Sequence, residues 1–208
     1  MQDITKKQYW NNLYEQGKMG WDMGYVSPPL KDYFDQITDK TIKILIPGAG
    51  SSWEVEYLHN MGFTNVFLLD FAEKAVVNFK NRCPSFPENR IIYQDFFEHS
   101  EKYDLIVEQT FFSSFHPEHR LRFANKISDL LENKGKYMGL LFNHEFDFEG
   151  PPFGGTPEEY FKLFANKFET LKFETAYNSI RPRQGRELFI LLRKKKQSNF
   201  EYLPILAA

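Results

Sequence analysis

A glycine turn and an acidic residue follow two successive apolar runs in this sequence. Gly48 and Gly50 lie in the turn PGAG, which ends the run KILIP at residues 43–47. Glycine lets a backbone turn tightly and approach a ligand closely. Asp70 ends the next apolar run, NVFLLD, and an acid in that position can accept both hydroxyls of a ribose. These residue types in this order indicate a nucleoside site.

Further polar residues follow the third and fourth apolar runs. Asp95 follows RIIYQ and can accept the exocyclic amine of adenine, while Phe96 can pack on the ring. Gln109 ends the fourth run. Trp53 stands where a dinucleotide motif has its third glycine, which argues against a diphosphate. The pattern therefore favours S-adenosylmethionine over a nicotinamide dinucleotide. The alternatives are a purely structural glycine turn, Asp70 as a helix cap and Asp95 as a loop acid.

The elements that position these residues alternate along the chain. Apolar strand-like runs alternate with amphipathic helical segments, which predicts an α/β fold with a mostly parallel sheet and helices on both faces. The last two runs have no clear helix between them and predict an antiparallel hairpin at one edge. We expect a helix over 117–133 and a strand over 136–142. Two capping boxes are predicted, Ser51 with Glu54 and Thr156 with Glu159.

Length and composition limit the classes of function. The chain has 208 residues, a hydrophobic fraction of 42% and a net charge of −2, which predict a single globular domain and no nucleic-acid partner. No apolar run approaches the roughly 20 residues that span a bilayer, so no membrane association is expected. The one cysteine, Cys83, cannot form an internal disulfide, and we expect a cytoplasmic protein that is a monomer.

Several segments together resemble a known family. In chain order they are YWNNLYEQGKMGWD, LIPGAG, LLDFAEKAV, YQDFF, EQTFFSSFHPEHR, EGPPFGG and RPRQGREL. This series resembles the thiopurine S-methyltransferase family, which includes plant thiol, thiocyanate and halide methyltransferases. The resemblance implies a Rossmann-like class I methyltransferase fold with a seven-stranded sheet and an antiparallel last strand. It also implies an N-terminal helical lid within a cap at 1–40, a core at 41–196 and a tail at 197–208.

The resemblance also implies roles for single residues. Lid aromatics that close over S-adenosylmethionine match Trp10, Tyr14 and Trp21, and cofactor-contacting positions match Gly48, Asp70, Asp95, Phe96 and Gln109. On the substrate side, Arg120 matches an arginine and Phe153 an aromatic residue beside the pocket. The plant halide and thiocyanate branch has Tyr in place of Phe153, whereas the thiopurine branch has Phe. The acceptor therefore stays open among thiol, thiopurine, thiocyanate, halide and metalloid compounds.

Other interpretations remain beside this one. The aromatic residues of the lid can be core residues, Arg120 can form a surface ion pair, and Phe153 can pack under a helix. Arg181 and Arg183 are interpreted as a solvated turn, with a substrate carboxylate site as the alternative. The acids around His144 match no metal-ligand spacing, and no metal is expected. The rival functions are a non-catalytic adenosyl-binding module and a nicotinamide-dependent oxidoreductase.

Overall fold

The computed structural model of the protein describes residues 5–196. Within this range the strands are β1 (Ile44–Pro47), β2 (Val66–Asp70), β3 (Ile91–Tyr93), β4 (Tyr103–Gln109), β5 (Leu131–Phe142), β6 (Phe168–Thr175) and β7 (Glu187–Lys194). The α-helices are α1 (Lys7–Glu15), α2 (Pro28–Asp35), α3 (Trp53–Asn60), α4 (Glu73–Arg82), α5 (Arg120–Leu130) and α6 (Pro157–Ala165). The predicted tail at 197–208 lies outside the described residues.

The described strands form one seven-stranded sheet in the order β3-β2-β1-β4-β5-β7-β6. Strands β1 to β5 pair in parallel, whereas β7 runs antiparallel to both β5 and β6. A short connection can join only antiparallel neighbours, because a parallel pair needs a long crossover. The predicted sheet, with its antiparallel last strand and edge hairpin, is confirmed. The chain order reverses between β1 and β4, where open α/β sheets bind ligands.

Residues alternate between two hydrophobic cores, one on each face of the sheet. Ile44 and Ile46 of β1 pack into the core that α2, α3 and α4 cover, while Leu45 points into the core of α5 and α6. Side chains of a strand point alternately to opposite faces, and a parallel sheet is buried on both. The prediction of helices on both faces is therefore confirmed.

The N-terminal segment packs across the carboxyl edge of the sheet. α1 lies against α4, and the buried Asn11 side chain accepts a hydrogen bond from the backbone N–H of Lys74 at 3.1 Å. α2 was not predicted from the sequence. Pro28 stands at its first position, which suits the fixed φ of proline and its missing N–H.

Two local expectations differ from the structure. α5 ends at Leu130, and β5 begins at once at Leu131, well before the expected strand start. The early pairing of Leu131 with Tyr103 is followed by a register shift, with Lys134 in a left-handed conformation. Periodicity does not reveal a bulged strand extension of this kind. Among residues 5–196, no helix is both long and apolar enough to cross a bilayer.

Candidate functional site

A cavity of about 650 Å³ opens above the carboxyl ends of β1, β2 and β4. Most of the predicted cofactor residues lie together in its wall: Trp10, Tyr14, Trp21, Gly48, Gly50, Asp70, Asp95 and Phe96. They come from α1, from the segment that follows it and from the loops after three strands. The sheet topology alone brings these loops together, because the carboxyl ends of its parallel strands meet at one edge.

The turn after β1 is shaped by what packs on its glycines. Gly48 and Gly50 both have φ of +55°, a left-handed conformation that glycine adopts without steric cost. A Cβ atom at Gly48 would overlap the ring of Phe111, which covers this turn. A Cβ atom at Gly50 would lie 3.1 Å from the hydroxyl of Tyr14. Both glycines therefore permit close approach of aromatic side chains.

Asp70 is locked in place at the end of β2. Its side chain is only 6% exposed. One carboxylate oxygen accepts the N–H of Gly50 at 2.9 Å, and the other accepts the N–H of Ala72 at 2.8 Å. Burial raises the pKa of this carboxyl above its usual value, although the backbone hydrogen bonds oppose the shift. Each oxygen keeps a lone pair for a ligand hydroxyl.

Asp95 and Phe96 lie in the neighbouring part of the wall. One oxygen of Asp95 accepts the N–H of Phe97 at 2.7 Å, which leaves the other oxygen for a ligand. Phe96 is buried against Phe111, with ring centroids 5.3 Å apart. Gln109 lies outside the cavity wall, and its amide nitrogen is 3.5 Å from a carboxylate oxygen of Glu187.

Three aromatic residues of the N-terminal segment interlock over the cavity. Trp21 makes edge contacts with Trp10 and Tyr14, with centroid distances of 5.6 and 5.7 Å. Burial raises the pKa of Tyr14, and the nearby charge of Asp70 adds to the shift. The Tyr14 hydroxyl is consequently neutral and available as a hydrogen-bond donor.

Asp22 ties this segment to the glycine turn, a contact that the sequence did not predict. It accepts a hydrogen bond from Trp53 Nε1 at 2.7 Å and one from the Ser51 hydroxyl. Ser51 therefore does not cap α3, and its predicted capping box is wrong. Glu54 instead accepts from the N–H of Ser27 at 3.2 Å. The capping box of Thr156 and Glu159 is confirmed in full.

Arg183 holds the same segment from the other side. It is 9% exposed, forms an ion pair with Glu187 at 3.3 Å and donates to the backbone oxygen of Trp21 at 2.8 Å. The interpretation of Arg183 as part of a solvated turn is wrong, whereas Arg181 is exposed. Because β7 runs antiparallel, its first residue lies at the carboxyl end of β5, beside the cavity. That register could not be read from the sequence.

The two predicted substrate-side residues lie behind the cavity wall. Arg120 is 8% exposed and donates to the backbone oxygen of Gly154 at 2.6 Å, with its guanidinium packed on the rings of Phe112 and Tyr160. The backbone N–H of Phe153 donates to the backbone carbonyl oxygen of Ser113 at 2.7 Å. Neither side chain lines the cavity, but the loop that they hold contributes Pro151 and Pro152 to it.

The family profile described as thiopurine S-methyltransferase matches residues 5–196, nearly the whole chain. The chain belongs to the thiopurine S-methyltransferase family. Family membership makes it an S-adenosylmethionine-dependent methyltransferase.

Curated relatives of this thiopurine S-methyltransferase family member come from plants and bacteria. Over 197 residues it is 29% identical to the probable thiol methyltransferase 2 of Arabidopsis thaliana, covering 92% of this chain and 86% of the relative. It is 26% identical to thiocyanate methyltransferase 1 of Brassica oleracea, with coverages of 86% and 81%. The thiopurine S-methyltransferase of Acinetobacter baylyi is 22% identical, with coverages of 78% and 85%.

Solved structures agree with the fold. The 1,6-didemethyltoxoflavin-N1-methyltransferase of Burkholderia thailandensis superposes with a TM-score of 0.73 at 19% identity, covering 93% of this chain and 88% of that one. A TehB-like methyltransferase from Corynebacterium glutamicum gives a TM-score of 0.63 at 20% identity, with coverages of 91% and 95%. These likenesses confirm the class I methyltransferase fold.

The residues of the cavity fit S-adenosylmethionine. Its adenosyl end needs acceptors for two hydroxyls and an amine, and Asp70 and Asp95 have lone pairs that their backbone hydrogen bonds leave free. Its sulfonium is a cation, which aromatic faces attract, and Tyr14, Trp21 and Phe111 line the adjoining wall. Within residues 5–196, no cluster of potential ligands for a metal ion occurs.

Proposed function

We propose that the chain methylates a small soft nucleophile that arrives as an anion: a thiol or thiopurine-like sulfur, thiocyanate or a halide. The main support is an aromatic part of the cavity wall, which we call the acceptor end. It consists of Phe111, Phe115, Phe142, Phe146, Pro151 and Pro152. The thiol and thiocyanate methyltransferases among its relatives support this acceptor class.

The predicted cofactor residues divide into an adenosyl group and a lid group in our proposal. Asp70 accepts the ribose hydroxyls, Asp95 accepts the adenine amine and Phe96 supports the ring. The glycine turn at Gly48 and Gly50 brings the backbone close to the cofactor.

The lid group consists of Trp10, Tyr14 and Trp21, which cover the cofactor and exclude water. Their edge-to-face contacts with one another hold them over the cavity as a unit. Gln109 acts beneath this group, since its amide lies 3.8 Å from the Met23 sulfur in the same segment.

The chemistry asks little of the protein beyond alignment. S-adenosylmethionine, when bound, supplies a methyl group that its positive sulfur already activates. The acceptor end must align the nucleophile behind that methyl group and exclude water. When an anion reacts with a cation, charge disappears, so a dry aromatic wall suits the transition state. His116 and His119 line the cavity, but an aryl thiol is already partly ionised at neutral pH, so they are not needed as bases.

Arg120 and Phe153 act on the acceptor side through the loop that they hold. Arg120 donates to the backbone oxygen of Gly154, and Phe153 is bonded to Ser113 in the facing loop. Between them they fix Pro151 and Pro152 against the acceptor. Their proposed role is to shape the pocket rather than to contact the reacting atoms.

A sealed-vial competition tests the function. Purified protein receives S-adenosylmethionine with equal concentrations of iodide, thiocyanate, hydrosulfide and thiophenol, and methylated products are counted by gas chromatography. We expect one class of product to dominate. Cofactor binding in a calorimeter beside an empty vial would favour the non-catalytic adenosyl module. A change in NADH fluorescence on adding protein would favour the oxidoreductase.

We further propose that the protein acts as a cytoplasmic monomer without nucleic-acid or membrane partners. The net charge of −2 and the single buried cysteine, Cys83, support this proposal. Light scattering coupled to size-exclusion chromatography checks it, since a mass near 24.7 kDa is expected.

A further inference from the structure

A buried carboxylate lies directly behind the acceptor end of the cavity. Glu108 is the penultimate residue of β4 and is 1% exposed. It does not line the cavity. Buried acids are rare unless hydrogen bonds or charges hold them. The proposed chemistry assigns this group no task, so its position needs an explanation.

Glu108 uses both of its oxygens. One accepts the backbone N–H of Phe112 at 3.1 Å, and the other accepts the hydroxyl of Tyr137 at 3.1 Å. A Cβ atom at Gly139 on the neighbouring strand would lie 2.7 Å from the second oxygen. The glycine in YMGLLF therefore makes room for the carboxylate. An isolated glycine inside a strand often marks such a close approach.

The hydrogen bond to Phe112 acts on the loop that forms the acceptor wall. Residues 110–115 contribute Thr110, Phe111, Ser113, Ser114 and Phe115 to the cavity. Thr110 has φ of +62°, an unfavourable conformation for a β-branched residue that its surroundings must hold. The same loop carries the backbone carbonyl oxygen of Ser113, which accepts the hydrogen bond from the backbone N–H of Phe153. A change at Glu108 is thus passed to both loops that enclose the acceptor.

We propose that Glu108 is a positioning residue whose charged form holds the 110–115 loop in the shape that binds the methyl acceptor. This proposal rests on the proposed function. In the charged form both hydrogen bonds are charge-assisted and about twice as strong as neutral ones. On protonation the carboxyl keeps only a neutral acceptor toward Phe112, and the wall loosens.

The surroundings put this change within the working pH range. Burial raises the pKa of Glu108 to about 7, although the hydrogen bonds from Phe112 and Tyr137 oppose the shift, and the charge of Glu187 adds to it. From α6, Tyr160 faces the same space, and Arg120 packs on Phe112 and Tyr160 from the start of α5. Acceptor binding should therefore weaken as the pH falls through 7.

The variant Glu108→Gln tests the proposal. Its amide oxygen can accept from Phe112 and its amide nitrogen can donate to Tyr137, so the fold is kept while the charge is lost. We measure kcat/KM for thiophenol from pH 5.5 to 8.5 and take the ratio of wild type to variant. Ionisation of the thiol cancels in that ratio. We expect this ratio of kcat/KM values to be near 1 at pH 5.5 and about 10 at pH 8.5. The difference should come from a higher acceptor KM in the variant rather than from kcat.

The cofactor readout and a matched control separate this role from a general structural one. The dissociation constant of S-adenosylmethionine should stay within twofold in Glu108→Gln. The exposed acid variant Glu132→Gln should match wild type at every pH. A ratio that stays constant across the pH range, or a loss shared equally by cofactor and acceptor, would overturn the proposal.

A second measurement is independent of activity. Amide hydrogen exchange of residues 110–115 is compared between wild type and Glu108→Gln at the same pH, so the intrinsic pH dependence cancels. We expect exchange about tenfold faster in the variant at pH 8.5 and equal rates at pH 5.5. Equal rates at both pH values would contradict the proposal. If wild type methylates no acceptor, the proposed function fails, and the exchange data still decide whether Glu108 holds the loop.

Discussion

The indole N–H of Trp53 donates to the Asp22 carboxylate across 2.7 Å, and this bond joins the N-terminal segment to the start of α3. The guanidinium of Arg82 stacks on the Trp53 ring at 3.8 Å and completes the junction. Trp53 thus has a structural task at the position where a dinucleotide-binding protein needs glycine. The neighbouring Trp21 is held in place over the cofactor cavity as a result.

Replacing Asp22 should weaken cofactor binding without a direct contact to the cofactor. Asp22→Ala removes the acceptor for Trp53 and Ser51, so Trp21 loses the anchor beside it and keeps only the Arg183 hydrogen bond and its ring contacts with Trp10 and Tyr14. We expect the dissociation constant of S-adenosylmethionine to rise about tenfold, as for the loss of a charge-assisted hydrogen bond. Calorimetric titration measures it. The exposed acid variant Asp129→Asn serves as the control, and an unchanged constant in Asp22→Ala would contradict the role.

Asp70→Asn should lower the affinity for the cofactor by more than Asp22→Ala does. The amide keeps one acceptor but turns a donor toward the backbone N–H of either Gly50 or Ala72 and toward the ribose hydroxyl on that side. We expect a loss of 10- to 100-fold in cofactor affinity, which corresponds to about 1.5–3 kcal/mol. Titration with S-adenosylhomocysteine is the measurement, with Asp129→Asn again as control. A loss under threefold would show that the ribose is bound elsewhere.

Gly48→Ala tests the contact between the glycine turn and Phe111. The new methyl group meets the Phe111 ring and also stands at a left-handed φ. Gly62 provides a matched control, because its φ is +80° and its Cβ would meet open space. We expect Gly62→Ala to cost about 1 kcal/mol of unfolding free energy and Gly48→Ala about 2–4 kcal/mol.

A double variant separates the two causes at Gly48. In denaturant unfolding, adding Gly48→Ala to Phe111→Ala should cost about as much unfolding free energy as Gly62→Ala costs in wild type, because the overlap with the ring is gone. Equal losses for Gly48→Ala and Gly62→Ala would mean that the Phe111 ring yields freely.

Arg120→Met should act on the acceptor and leave the cofactor alone. The substitution keeps apolar contact with Phe112 and Tyr160 but releases the Gly154 carbonyl. We expect the acceptor KM to rise at least fivefold, with a loss of stability of about 1–3 kcal/mol. Steady-state kinetics with either substrate varied separates the two effects. Arg193→Gln, at an exposed ion pair, should change stability by under about 0.5 kcal/mol.

The pH dependence of stability should carry the signature of Glu108. Its pKa is raised from 4.5 to about 7 in the folded protein because the fold as a whole desolvates it. Folding therefore favours the protonated form, even though the hydrogen bonds from the 110–115 loop favour the charged form. The resulting stability is fully present below pH 4.5 and is lost as the pH rises through 7. Relative to Glu108→Gln, wild type should therefore lose about 3 kcal/mol over that window. Thermal unfolding of both proteins at pH 4.5, 6 and 8 measures the difference, and parallel curves would contradict the raised pKa.

The order of elements and the adenosyl side of the site could be predicted from local patterns. Apolar runs such as KILIP and NVFLLD have the composition of buried strands, and the residues that end such runs must meet at one sheet edge. For that reason Gly48, Asp70 and Asp95 were found beside one another. The capping box at Thr156 was equally predictable, because its chemistry lies within four consecutive residues.

Contacts between distant segments were decided by the tertiary structure alone. Asp22 meets Ser51 and Trp53, and Arg183 meets Trp21, because the sheet order places β7 beside β5 and lays the N-terminal segment across the carboxyl edge. Ser51 differs from its predicted capping role for the same reason, since a local cap and a distant acid, Asp22, compete for one hydroxyl. The sequence by itself determined which chemical groups are available. Long-range pairing and burial determined which of them meet, and burial in turn raised the pKa of Glu108.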